Sequence, residues 1–156
     1  MIVITGETRT GKSTLGVELA DALGYLHFES SLPLRRFFGR PKYRWEQEKD
    51  IPYYNGVNLR ELAISVTELI AKELGPDGYA WIIHSHLPKT DEIVLSGVRK
   101  WDEVAYFQRV ALAKVVILRP DVPCVQLMST DVWLFPTDYQ IQDIETLLEE
   151  MGYDTI

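Results

Sequence analysis

Residues 6 to 14 read GETRTGKST: a glycine, four intervening residues, then Gly-Lys-Ser, set directly after the apolar run MIVIT. Few sequences constrain a fold as tightly. Gly6 and Gly11 permit backbone angles that turn successive N–H groups inward around an anion. A helix beginning at Lys12 aims its positive end at the same point. Such a loop cradles phosphate. Lys12 would reach the β and γ phosphates of a nucleoside triphosphate, and the Ser13 hydroxyl would ligate Mg²⁺. Gly6, Thr10, Gly11, Lys12, Ser13 and Thr14 are therefore the expected ATP-binding residues, with Arg119 further along, and Ser13 the expected metal ligand.

A strand, a phosphate loop and a helix open α/β folds, and the rest of the chain continues the alternation. The spacing predicts a helix over 12–23 with Leu15, Leu19 and Leu23 on one face, a strand over 25–28 and a short basic helix over 32–38. Residues 39–57 hold two prolines, two glycines and the aromatics Tyr43, Trp45, Tyr53 and Tyr54, and read as an irregular excursion. Asn58 is placed to cap a helix running to Leu74, with Leu62, Val66, Leu69 and Ile70 as its stripe and Gly75-Pro76 as its stop. A further helix is expected over 79–86. Strands follow over 92–95, 114–118 and 132–135, with a helix over 101–109 and an amphipathic one over 141–151. The expectation is a three-layer α/β sandwich, a five-stranded parallel sheet flanked by helices, in one domain over 1–156.

Composition narrows the function classes. With 46% apolar and 25% charged residues, and no apolar run near the roughly 20 residues a membrane span needs, the chain reads as an ordinary globular protein that does not enter a membrane. MIVITG has no basic leader before it and reads as a strand, which argues for the cytoplasm. Cys124, the only cysteine, excludes an internal disulfide and reads as a small core residue. A net charge of −7 opposes nonspecific binding to nucleic acid. No Asn-Lys-x-Asp guanine-recognition element occurs, so a GTPase is disfavoured, and a motor ATPase does not fit 156 residues. A small kinase remains.

Its acceptor site would lie near 32–57. Arg35, Arg36, Arg40, Lys42 and Arg44 place five cations in ten residues. Guanidinium forks suit phosphate, and Trp45 suits stacking on a base. Arg35 and Arg36 are the better individual candidates, weighed against a solvated charged loop. Further on, Gly97 ends a strand and Arg99 follows it, where an anion above the sheet edge would meet it. His84 and His86 lack a third ligand at metal spacing, and Trp133 and Phe135, on the last strand where they could flank an adenine, read rather as core.

GETRTGKST, FESSLPLRRF, VNLRELAISVTELIAKELGPDGYAW and IVLSGVRKWDEVAYF, in that order, resemble the phage-type deoxynucleoside monophosphate kinases of the P-loop nucleoside monophosphate kinase superfamily. A weaker match continues at DVWLFPTDYQIQDIETLLEEMG. The resemblance implies ATP on the glycine loop and the acceptor's phosphate on Arg35 or Arg36 and on Arg99. Two departures stand out. Many relatives carry Asp where this chain has Ser96, and Glu29 is the candidate replacement. The lid, expected at 120–130, contains no Lys or Arg, so Arg9, Arg99 and Arg119 would have to supply the cations that phosphoryl transfer needs. Lys12, Arg9 and Arg99 are thus the expected catalytic residues. GKSTLGVELADALGY is also similar to shikimate and gluconate kinases, which keeps a small-metabolite acceptor open. The reduced lid leaves room for a modified base in DNA as the acceptor, and Ser96 for a non-catalytic nucleotide-binding regulator. Oligomeric state is not readable.

Overall fold

The computed structural model describes residues 1–7, 10–52 and 56–153, so Arg9, Tyr53 and Tyr54 lie outside the described residues. The chain forms two compact units, residues 1–30 with 89–156, and residues 31–88.

The first unit is built on a sheet. β1 (Ile2–Gly6) buries Ile2, Val3 and Ile4 completely, the pattern of a central strand covered on both faces. It is followed by α1 (Lys12–Leu23) and β2 (Leu26–Glu29), and later by β3 (Ile93–Val98), α6 (Trp101–Ala111), β4 (Lys114–Arg119), β5 (Gln126–Ser129), β6 (Val132–Pro136) and α7 (Ile141–Glu150). The strand order is β2-β3-β1-β4-β6-β5. β1 runs parallel to β3 and β4, β2 to β3, and β4 to β6.

From β1 the chain crosses through α1 towards the β2 edge, and from β3 it crosses through α6 the other way to β4. Right-handed crossovers in opposite directions put those helices on opposite faces. The loop after β1 thereby sits at the switch point where ligands of open parallel sheets bind. One face carries Ile2, Ile4, Val94, Val116, Leu118, Trp133 and Phe135, which pack with Leu15 and Leu19 of α1 and Ile144, Leu147 and Leu148 of α7. Trp133 and Phe135 are core, as expected. Burying a side chain such as Leu147 contributes about 2 kcal/mol, and α7 presents three at helical spacing.

The sheet has six strands where five were expected. β5 pairs antiparallel with β6 at the edge, and all four of its residues are exposed. With no buried face it leaves no alternation to read, and it lies in the stretch assigned to a reduced lid. Cys124, expected in the core, is exposed in the turn that leads into this strand.

The second unit is helical: α2 (Leu32–Phe37), α3 (Lys42–Glu48), α4 (Leu59–Leu74) and α5 (Gly78–His86). Asn58 caps α4 as expected, its side chain accepting from the Glu61 N–H at 2.9 Å, an interaction worth about 1 kcal/mol. The α4 stripe is narrower than its sequence suggests. Leu59 and Ala63 are buried, whereas Leu69 is 58% exposed. α3 lies inside the stretch read as irregular. Of its seven residues only Trp45 is buried, so it has no apolar periodicity, and ion pairs of Arg40 and Arg44 with Glu48 and of Lys49 with Glu46 hold it. No helix among the described residues is long and apolar enough to cross a membrane.

Candidate phosphate-binding site

β1 ends on Gly6, which pairs with Leu118 of β4, and a Cβ there would lie 2.6 Å from the Leu118 carbonyl oxygen. Only glycine fits. Gly11, at φ 86°, caps α1 without any side-chain acceptor, so the first-turn N–H groups face outward for an anion. The Thr10 hydroxyl donates to the Glu7 carbonyl at 2.7 Å and braces the loop. Lys12 Nζ donates to the carbonyls of Gly6 at 2.9 Å and Glu7 at 2.6 Å, so its ammonium spans the loop. Burial, and then the charge of Arg99, hold Lys12 below its ordinary pKa. Arg99 itself is exposed just after β3.

The Ser13 hydroxyl donates to Glu29 Oε1 at 2.5 Å. Glu29 ends β2 and pairs in the ladder with Ser96 of β3. The carboxylate that Ser96 does not supply thus stands one strand away, beside the hydroxyl expected to meet the metal. Ser96 is buried and its hydroxyl shares a hydrogen bond with His27 Nε2 at 2.8 Å. Gly16 of α1 makes room for that pair, since a Cβ at Gly16 would sit 2.5 Å from His27 Nε2. Nothing in the sequence marked His27.

A hydroxyl and a carboxylate are the hard oxygen donors Mg²⁺ takes, so Ser13 and Glu29 fit that ion. Thr14 is exposed in the first turn of α1. Arg119 ends β4 in a two-point ion pair with Asp121, at 3.0 and 2.7 Å. Arg9 lies outside the described residues.

Lys12, Ser13, Glu29 and Arg99 belong to the sheet unit, while Arg35, Arg36 and Trp45 belong to the helical one. There Arg35 Nε donates to Ser31 Oγ at 3.2 Å, and Arg36 Nη1 lies 3.0 Å from His86 Nδ1. Trp45 is 6% exposed and stacks on Phe38, the centroids 6.2 Å apart.

No family model matches this chain, and no curated protein matches it. Among solved structures, it is similar to a shikimate kinase from Aquifex aeolicus vf5, at 13% identity over 97% of this chain and 96% of that one, with a TM-score of 0.49. A shikimate kinase from Bacteroides thetaiotaomicron gives 16% identity, 97% of each chain and 0.49. A gluconokinase from Sinorhizobium meliloti 1021 gives 14%, 97% of this chain, 94% of that one and 0.46. Likeness at this level leaves activity to be read from the site itself.

Proposed function

We propose that the chain is an ATP-dependent phosphotransferase that moves the γ-phosphate to a (deoxy)nucleoside monophosphate in the cytoplasm. The observation that carries this reading is the junction where Lys12 spans the glycine loop and Ser13 meets Glu29 at 2.5 Å. It gathers backbone donors, a cation and paired oxygen ligands at the end of one central strand. Mg²⁺ held by Ser13 and Glu29 would neutralise charge on the β and γ phosphates.

The chain's own residues do the rest. The loop N–H groups and Lys12 bind and orient the phosphates. Arg99 faces the transferring phosphoryl group and stabilises the charge it spreads over its oxygens, the task a lid arginine would otherwise perform, with Arg9 as its partner inside the loop. Arg35 and Arg36 hold the acceptor's phosphate, where fork geometry favours arginine. Trp45, buried and stacked on Phe38, is core of the helical unit and not the stacking surface its sequence suggested. A monophosphate acceptor is preferred over a neutral one because these two arginines are adjacent on a short helix otherwise lined by apolar residues.

ADP release with Mg²⁺ and a panel of acceptors tests the assignment: ribo- and deoxynucleoside monophosphates, small hydroxy acids, and duplex DNA containing a hydroxymethyl pyrimidine. Turnover is expected with one or more monophosphates. Turnover confined to a hydroxy acid or to DNA would move the acceptor to that class, and ATP binding without turnover on any of them would sink the kinase reading.

A further inference from the structure

The ladder between β1 and β3 slips once. Ile4 pairs with Ser96, but Thr5 pairs with Val98, leaving Gly97 as an extra residue at φ 89°. This is a bulge, and bulges swap the faces of the side chains after them. Before it, Ser96 lies on the α1 face, its Cβ 3.3 Å from where a Cβ on Gly16 would be. After it, Val98 takes the opposite face and is fully buried. Carried one residue past the end of β3, the same alternation would bring Arg99 back to the α1 face, the side of the phosphate loop. An unbulged strand would turn Arg99 the other way.

What holds the bulge is Ser30. Its N–H donates to the Ser96 carbonyl at 2.9 Å and its hydroxyl donates to the Gly97 carbonyl at 2.7 Å, one bond on each side of the slipped peptide. The fit is close, since a Cβ at Gly97 would lie 2.9 Å from Ser30 Oγ. A regular parallel strand receives no side-chain bond at its carbonyls, because the neighbouring backbone supplies them. The geometry points to Ser30 as a positioning residue: its hydroxyl fixes the Gly97 bulge and thereby aims Arg99 at the terminal phosphate of the bound nucleotide. This rests on reading the loop as an ATP site, and it adds a residue that no part of the phosphate-loop pattern contains.

The test is a thermodynamic cycle read by calorimetric titration of the full chain with MgATP and, separately, MgADP. The variants are Ser30→Ala, Arg99→Ala and the double variant. Arg99→Ala is expected to weaken ATP about tenfold and Ser30→Ala about three- to fivefold, with ADP affinity unchanged in both. In the Arg99→Ala background, Ser30→Ala should have no further effect. Ser30→Thr, which keeps the hydroxyl, should restore ATP affinity, and Ser30→Val, which has the same shape without it, should not. The Thr and Val pair also decides the matter if the alanine variant does not fold. Losses that add in the double variant, or equal losses for ATP and ADP, would overturn the role of Ser30 while leaving the ATP site standing. Wild-type protein that binds neither nucleotide would overturn both.

Discussion

The two units hold their cations in different ways. In the sheet unit, Lys12 and Arg99 follow strands whose neighbours are fully buried, and ladder hydrogen bonds fix where each strand ends. In the helical unit, Arg35 and Arg36 sit on a six-residue helix beside another held by partly exposed ion pairs. Exposed pairs contribute only about 0.2–1 kcal/mol each. A site built on ladders is set in advance, whereas one built on short helices and surface charge is more tolerant of change. Substitutions in the first should therefore act on nucleotide binding and catalysis, and substitutions in the second on acceptor affinity.

The largest effect should come from the loop itself. Lys12→Ala is expected to lower turnover by about a hundredfold to a thousandfold, measured as ADP release at saturating acceptor. A loss no greater than that of Arg36→Ala would erase the contrast between the units.

Next comes a stability effect within the sheet unit. Glu103 of α6 is 6% exposed, and burial pushes its carboxyl from 4.5 up to about 7, with Lys100 opposing and Asp102 reinforcing the shift. Between these values the folded chain binds more protons than the unfolded one, so stability is greatest below pH 4.5 for this group and falls as pH rises through 7. Glu103→Gln should remove that fall and raise stability at pH 8 by on the order of 2–3 kcal/mol. Denaturant midpoints of both proteins at pH 5 and pH 8 measure it; parallel profiles would contradict the burial argument.

Glu29→Gln is smaller again. It should raise the Mg²⁺ concentration for half-maximal activity by about tenfold to a hundredfold and leave acceptor KM unchanged. An unaltered Mg²⁺ dependence would separate Glu29 from the metal. In the helical unit, Arg36→Ala should raise acceptor KM by about tenfold with ATP KM intact. A change in ATP KM instead would transfer Arg36 to the donor side.

The same contrast explains what the sequence made legible. The loop, the central strands and α1 were readable because deep burial on a regular period leaves an apolar signature, as at Ile2, Ile4, Leu15 and Leu19. The edge strand β5 was not, since four exposed residues carry no alternation. Nor was α3, whose lone buried residue, Trp45, cannot make a stripe. Leu69 misled in the opposite sense, lying at helical spacing yet largely exposed. At the site, Lys12 and Ser13 were given by spacing. Glu29 needed the missing acid at Ser96 as a clue, and His27 and Ser30 left none, because their partners, Ser96 and Gly97, are brought to them only by the pairing of β2 with β3.

The most direct measurement follows the label of γ-³²P-labelled ATP in the presence of Mg²⁺ and a deoxynucleoside monophosphate. Label is expected on the monophosphate in step with ADP formation, and about a hundredfold to a thousandfold less of it with Lys12→Ala. Label released at the same rate without acceptor, or transferred equally well by Lys12→Ala, would contradict the kinase reading.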